Sequence, residues 1–139
     1  MARNPKVEVG ALNLRIPEEN YRDYVALVQA VSELRRGFRV FGDTYVAISW
    51  FDEGDGIGVI SKYTEIDLDG EWFDIEKFDT AEPAQIEEIN IPGSLKPNHY
   101  RFYFQLDSDL HVLAFESYGE SRSLSINSFE KYMREALLQ

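Results

Sequence analysis

The chain has 139 residues, 44% of them hydrophobic, and carries 14 Lys+Arg against 25 Asp+Glu for a formal charge of −11. This length supplies one core and is short for two, so a single domain over 1–139 is expected. The absence of cysteine excludes disulfides, thiolate metal sites and a cysteine nucleophile. No apolar run approaches the roughly 18 residues of a membrane span, and the opening MARNPKVEVG lacks an apolar signal core, so the expectation is a cytoplasmic protein with no membrane contact.

In chain order, Lys6–Ile16 alternates Val7, Val9 and Ala11 against Glu8, Gly10 and Leu12 and reads as a strand. Pro17 suits the first position of a helix, and Glu18, Glu19 and Asp23 put negative charge at its positive end. The helix is predicted to reach about Arg36, with Tyr21, Tyr24, Val25, Val28, Val31 and Leu34 on one face and Gly37 ending it. Strands follow at Phe38–Phe41, Thr44–Phe51 and Ile57–Ile66, and Asp55-Gly56 marks a hairpin turn between the last two. In YVAISWF both faces are apolar, Tyr45, Ala47 and Phe51 on one and Val46, Ile48 and Trp50 on the other, which predicts a central strand covered twice.

The stretch 67–97 reads as an acidic insert, irregular apart from a short helix near Pro83–Ile89. A second hairpin joins His99–Leu106 to Leu110–Ser117 through Asp107-Ser108-Asp109, and a last helix starts at Asn127, with Glu130 three residues on in a capping-box pattern. The resulting fold class is α+β, a mainly antiparallel sheet of about five strands in the order β-α-β-β-insert-β-β-α, with two helices.

The charge is concentrated in one segment. Residues 52–90 hold thirteen acids and two bases, while the other hundred residues hold twelve of each, so the middle of the chain carries the whole −11. Such a surface repels nucleic-acid backbones and favours basic partners or cations. The expected partner-binding surface is Asp52, Glu53, Asp55, Glu65, Asp67, Asp69, Glu71, Asp74 and Glu76, with Trp72 and Phe73 as apolar anchors beside the acids.

Metal chemistry is the competing use of these carboxylates. Glu65, Asp67, Asp69 and Glu76 stand at positions 1, 3, 5 and 12 of a calcium-loop pattern with Gly70 at position 6, but the first position asks for Asp and the preceding residues for a helix. The plain alternative is a solvated acidic turn in which Gly70 supplies a positive φ. Glu65, Asp67, Asp69 and Glu116 could converge on a magnesium ion, yet Lys62 and Lys77 alone stand ready to neutralise phosphate. His99 and His111 lack zinc spacing, Gly54, Gly56 and Gly58 precede a strand where a phosphate loop opens a helix, and no GxSxG elbow accompanies the serines. No catalytic residue and no cofactor is assigned. The run His99–Phe104 lacks the glycines of an RNA-recognition strand, so no direct nucleic acid is expected.

The segments VGALNLRI (Val9–Ile16), GDTYVAISWF (Gly42–Phe51), GVISKYTEIDLDGEWFD (Gly58–Asp74), EEINIP (Glu87–Pro92) and RFYFQLDSDLHVLAFE (Arg101–Glu116) together resemble an uncharacterised bacterial and prophage domain-of-unknown-function family whose members are longer than this chain. The resemblance brings no activity and implies a mobile-element context. The reading that follows is a non-enzymatic interaction protein, a modulator of a host nucleic-acid-handling or defence system, meeting a basic protein surface with acids in place of phosphates. Alternatives are a metal-dependent phosphodiesterase and a dimerisation or sensor domain of a larger protein, the last using the aromatic-rich sheet surface as a homo-oligomer interface.

Overall fold

The computed structural model describes residues 7–14, 23–119 and 122–138. Its elements are strand β1 (Glu8–Asn13), helix α1 (Tyr24–Glu33), strands β2 (Phe38–Phe41), β3 (Thr44–Asp52) and β4 (Ile57–Thr64), the two-residue strands β5 (Phe73–Asp74) and β6 (Asp79–Thr80), helix α2 (Pro83–Glu87), strands β7 (Tyr100–Asp107), β8 (Val112–Gly119) and β9 (Arg122–Ser123), and helix α3 (Ile126–Leu137). One antiparallel sheet has the order β1-β8-β7-β4-β3-β2, with β9 added on β8, and β5 and β6 form a separate ribbon. The α+β class and antiparallel sheet match the sequence reading. The counts differ: among the described residues there are three helices, the third being the short α2 at the helix expected near Pro83–Ile89, and seven strands in the main sheet, where the two-residue β9 is too short for hydrophobic periodicity to register.

The two edge strands β1 and β2 both contact α3, so the sheet curls around that helix. Phe129, Tyr132, Met133 and Ala136 of α3 meet Ile60, Phe102, Phe104, Leu113 and Phe115 of the sheet in one buried cluster that also takes Val28 and Val31 of α1. The ring of Phe129 lies edge-on to Phe115 at 4.9 Å between centroids. Helix α3 starts at Ser125, whose hydroxyl accepts the Ser128 N–H at 3.1 Å; the predicted start at Asn127 falls inside the first turn.

Beyond Val46 no β2 residue pairs with β3, and the Ile48 N–H donates instead to the Tyr132 hydroxyl at 2.9 Å. Burial pushes that hydroxyl's pKa up to about 12, so it stays protonated at any physiological pH. Tyr132→Phe should leave the Ile48 N–H buried without a partner and lower stability by about 1–3 kcal/mol, read as a shifted urea midpoint.

Several sequence expectations are corrected. Strand β1 turns Leu12 inward and leaves Val7 and Val9 55% and 69% exposed, so of its two alternating sets the side of Gly10 and Leu12 faces the core. The reason is Gly10: the Phe115 ring lies directly over it, 2.9 Å from where a Cβ would stand, which fixes the even-numbered side inward. Strand β3 is covered on one face only. Val46 and Ile48 are buried, Tyr45 and Ala47 are half-buried, and Trp50 is 52% exposed. A bulge between Ile48 and Trp50 inverts the alternation, so Phe51 joins the core side and stacks on Phe104 at 5.8 Å while Trp50 faces out.

Helix α1 is capped by Asp23, which accepts the Ala26 N–H at 2.9 Å, and it ends at Glu33 where Arg36 was predicted, since Arg35 adopts φ 49° and leaves the helix. Its predicted start at Pro17, with Glu18, Glu19 and Tyr21, lies outside the described residues. The hairpin turn at Asp55-Gly56 is as predicted, with Gly56 at φ 70°.

Candidate functional site

The acidic segment is continuous in sequence and divided in space. Asp52, Glu53 and Asp55 lie in the β3–β4 turn, whereas Glu65 leaves the far end of β4. Eight residues of strand at about 3.3 Å each put about 26 Å between the two groups. The Leu106 N–H donates to the Gly56 carbonyl at 2.7 Å, which brings the β7–β8 turn, with Asp107 and Asp109, beside the first group. The protein thus has two acidic poles, a turn pole and an insert pole.

The insert from Asp67 to Pro97 is closed at its root. The Thr64 N–H donates to the Pro97 carbonyl at 3.0 Å, Asn98 Nδ2 donates to Thr64 Oγ1 at 2.9 Å, and Glu65 pairs with Lys96 at 2.8 Å. Above the root, Asp67 Oδ1 accepts the N–H groups of Asp69 and Gly70 at 2.9 and 3.0 Å, and the Trp72 indole donates to the Asp67 carbonyl at 2.8 Å. Trp72 therefore pins the loop and is half-buried, not the outward anchor expected of it. Gly70 has no positive φ: the glycines of the described residues that do are Gly42 and Gly56. Its missing side chain instead admits the Asp67 carboxylate, which stands 2.8 Å from the Cβ position.

Asp74 organises the tip. Its Oδ1 accepts the Glu76 and Lys77 N–H groups at 2.9 and 3.2 Å, closing the β5–β6 turn, and its Oδ2 accepts from Gln85 Nε2 at 2.8 Å, tying that turn to α2. The Gln85 bond, then the two backbone bonds, hold the Asp74 carboxyl below the usual carboxylate range. A depressed folded value means the contribution is present above the ordinary Asp pKa and is lost as pH falls through the folded one. Protection of the Glu76 and Lys77 amides, read as exchange relative to the free-peptide rate at the same pH, should therefore fall as pH drops below the ordinary Asp value of about 4, and Asp74→Ala should show the lowered protection already at neutral pH.

The acids first grouped as one surface thus divide by role. Asp52, Asp67 and Asp74 spend their carboxylates on turns, and Glu65 is ion-paired. Glu53, Asp55, Asp69, Glu71 and Glu76 have no side-chain partner among the described residues, and each is exposed. The insert pole also carries exposed apolar side chains in the same stretch of chain: Phe73 is 57% exposed, Ile75 81% and Phe78 80%. Phe73 and Phe78 meet edge to face at 5.1 Å, and Phe78 holds φ 57°, a conformation costly for a side chain of its size. Ile75 and Phe78 were missed in sequence. Their signal is the apolar and charged mixture F-D-I-E-K-F, which suits neither a strand face nor a helix face.

The metal readings find no assembled site. Among the described residues no three of His, Asp and Glu come together as ligands. Glu116 sits on β8 and accepts the Tyr103 N–H at 2.8 Å, on a different element from Glu65, Asp67 and Asp69. Of the histidines, His111 stacks on Tyr24 at 4.1 Å, while His99 Nε2 lies 2.8 Å from Ser61 Oγ, which in turn bonds Ser49 Oγ at 2.8 Å.

A family model described as a domain of unknown function, DUF4747, matches residues 5–139. No curated protein and no solved structure matches the chain significantly. No helix among the described residues is long and apolar enough to cross a membrane.

Proposed function

The chain belongs to the DUF4747 family, a domain of unknown function, and from that starting point we propose that it is a non-enzymatic interaction domain whose insert pole docks a protein with a basic surface. The observation that carries this is the β5–β6 tip, where Phe73, Ile75 and Phe78 stand exposed and Glu76 between them has an unpartnered carboxylate, with those of Asp69 and Glu71 in the loop that leads into β5. An apolar centre with a charged rim is the usual anatomy of a docking patch, the rings supplying affinity and the carboxylates steering and register.

The original surface is narrowed by this geometry. A phosphate-mimicking face running from Asp52 to Glu76 is not continuous, and the turn pole lacks the apolar centre. The mobile-element setting implied by the family resemblance makes the partner a host nucleic-acid-handling or defence protein, whose phosphate-binding groove the carboxylates of the insert would fill. Capture from the native host's lysate at low and at high salt tests this. A partner held at low salt and released at high salt supports the reading; capture of nothing at low salt contradicts it.

A dimerisation reading has its own observation. Val9, Trp50 and Tyr103, respectively 69%, 52% and 60% exposed, lie on the sheet face away from the core. Sedimentation as a concentration-independent monomer would remove it.

A further inference from the structure

In a chain with eleven more acids than bases, a place where cations gather without carboxylates asks for a negative ligand. Such a place lies where α1 hands over to β2. A concavity of about 310 Å³ is lined by Arg35, Arg36, Gly37, Ser49, Ser61 and Tyr63, among others. We infer that this concavity binds a phosphomonoester, through the two guanidiniums and the Tyr63 hydroxyl, over a polar floor of Ser49 and Ser61.

Three observations support it. First, Arg35 and Arg36 are exposed and have no ion-pair partner among the described residues. The carboxyl end of α1 accounts for part of their charge only: a helix terminus carries about half a negative charge, and two guanidiniums leave an excess of about +1.5. Arg36 is held by its guanidinium stacking over the Phe38 ring at 4.7 Å, which leaves its N–H groups free to donate in plane.

Second, the floor is hydroxyl-rich and pre-ordered. Ser61, 7% exposed, donates to Ser49 Oγ at 2.8 Å and lies 2.8 Å from His99 Nε2, so it is fixed as part of the floor and its proton is held within the protein. Third, Gly37 exists to let Tyr63 in: a Cβ there would collide with the Tyr63 hydroxyl. Burial, with Glu65 next in effect, raises the Tyr63 pKa and keeps that hydroxyl a donor. Glu65 itself is neutralised by Lys96. Two guanidiniums with a phenol donor match the charge and the several acceptor oxygens of a phosphate better than the two of a carboxylate.

This site is independent of the insert pole. The test is titration of inorganic phosphate into the isotopically labelled full chain at constant ionic strength, followed by amide shifts. Saturable shifts at Gly37, Ser49 and Ser61, with the turn residue Gly54 unmoved, are expected. Arg35→Gln/Arg36→Gln should weaken binding at least about tenfold, as expected for losing charge-assisted bonds. Tyr63→Phe, which leaves the ring packing intact, should weaken it less, and Arg134→Gln on α3 should leave it unchanged. Adenosine monophosphate binding tighter than phosphate identifies a nucleotide as the source, and O-phosphoserine binding tighter identifies a phosphorylated side chain; either supports the site. Absence of saturable shifts, shifts reproduced by chloride, or full binding by the double arginine variant overturns it.

Discussion

Phe129→Ala should lower the unfolding free energy by about 3–5 kcal/mol, the range for emptying a large aromatic site in a core. Phe129 is fully buried and touches both the Phe104 and Phe115 rings, at 6.4 and 4.9 Å between centroids. It lies where α3 fills the curl of the sheet, so neighbouring strands cannot close over the gap without opening their pairing. Against a typical total of about 5–15 kcal/mol, the loss is a large share of what holds the chain folded. Urea denaturation should show a lower midpoint with little change in slope. Leu138→Ala, at a 75% exposed position just past the same helix, should change stability by no more than about 0.5 kcal/mol.

The second large effect concerns binding rather than folding. Phe78→Gly should abolish capture of the partner, at a cost of at least about 2 kcal/mol in affinity if the ring is a central anchor. Folding should hardly change, because two effects oppose each other. Glycine relieves the φ of 57°, a gain of about 1 kcal/mol. It also forfeits the edge contact with Phe73, worth about 0.5–1.5 kcal/mol. Unchanged thermal unfolding with lost capture would show that Phe78 is held in a costly conformation for the partner and not for the fold. Loss of stability with retained capture would show the opposite. Ile75→Ser, at the most exposed apolar position, provides a second substitution free of any backbone change.

Much of the scaffold was legible because periodicity carries it. Strand β7 alternates along nearly its whole length, β3, β4 and β8 are runs rich in β-branched and aromatic residues whose burial alternates over their first halves, and Asp55-Gly56 named its own turn. Misassigned faces came from local departures that no alternation rule contains. The bulge at Ile48–Trp50 moved Phe51 inward, and the face of β1, which the alternation left open, is set by the Phe115 ring over Gly10. The short helix expected near Pro83–Ile89 is α2, five residues long and set by a Glu82–Gln85 capping box and Pro83, and the count of two helices had left it out.

At the candidate site, composition identified the acidic segment but not its division, since a count along the chain cannot see an eight-residue strand standing between two groups of carboxylates. Nor could it tell Asp67 and Asp74, which accept backbone N–H groups, from Asp69 and Glu76, which accept none. That difference is one of geometry. The hydroxyls of Ser49 and Ser61 are likewise twelve residues apart in sequence and meet only through the β3–β4 register.

The central claim, that the insert pole and not the turn pole meets the partner, is tested most directly by parallel capture from host lysate with three proteins: the wild type, the Asp69→Lys/Glu71→Lys/Glu76→Lys variant and the Glu53→Lys/Asp55→Lys variant. All five substituted side chains are exposed and outside the turn-closing set, so each protein should remain folded. The account predicts that the insert variant loses the partner and the turn variant keeps it. Retention by the insert variant, or loss by the turn variant alone, would contradict it.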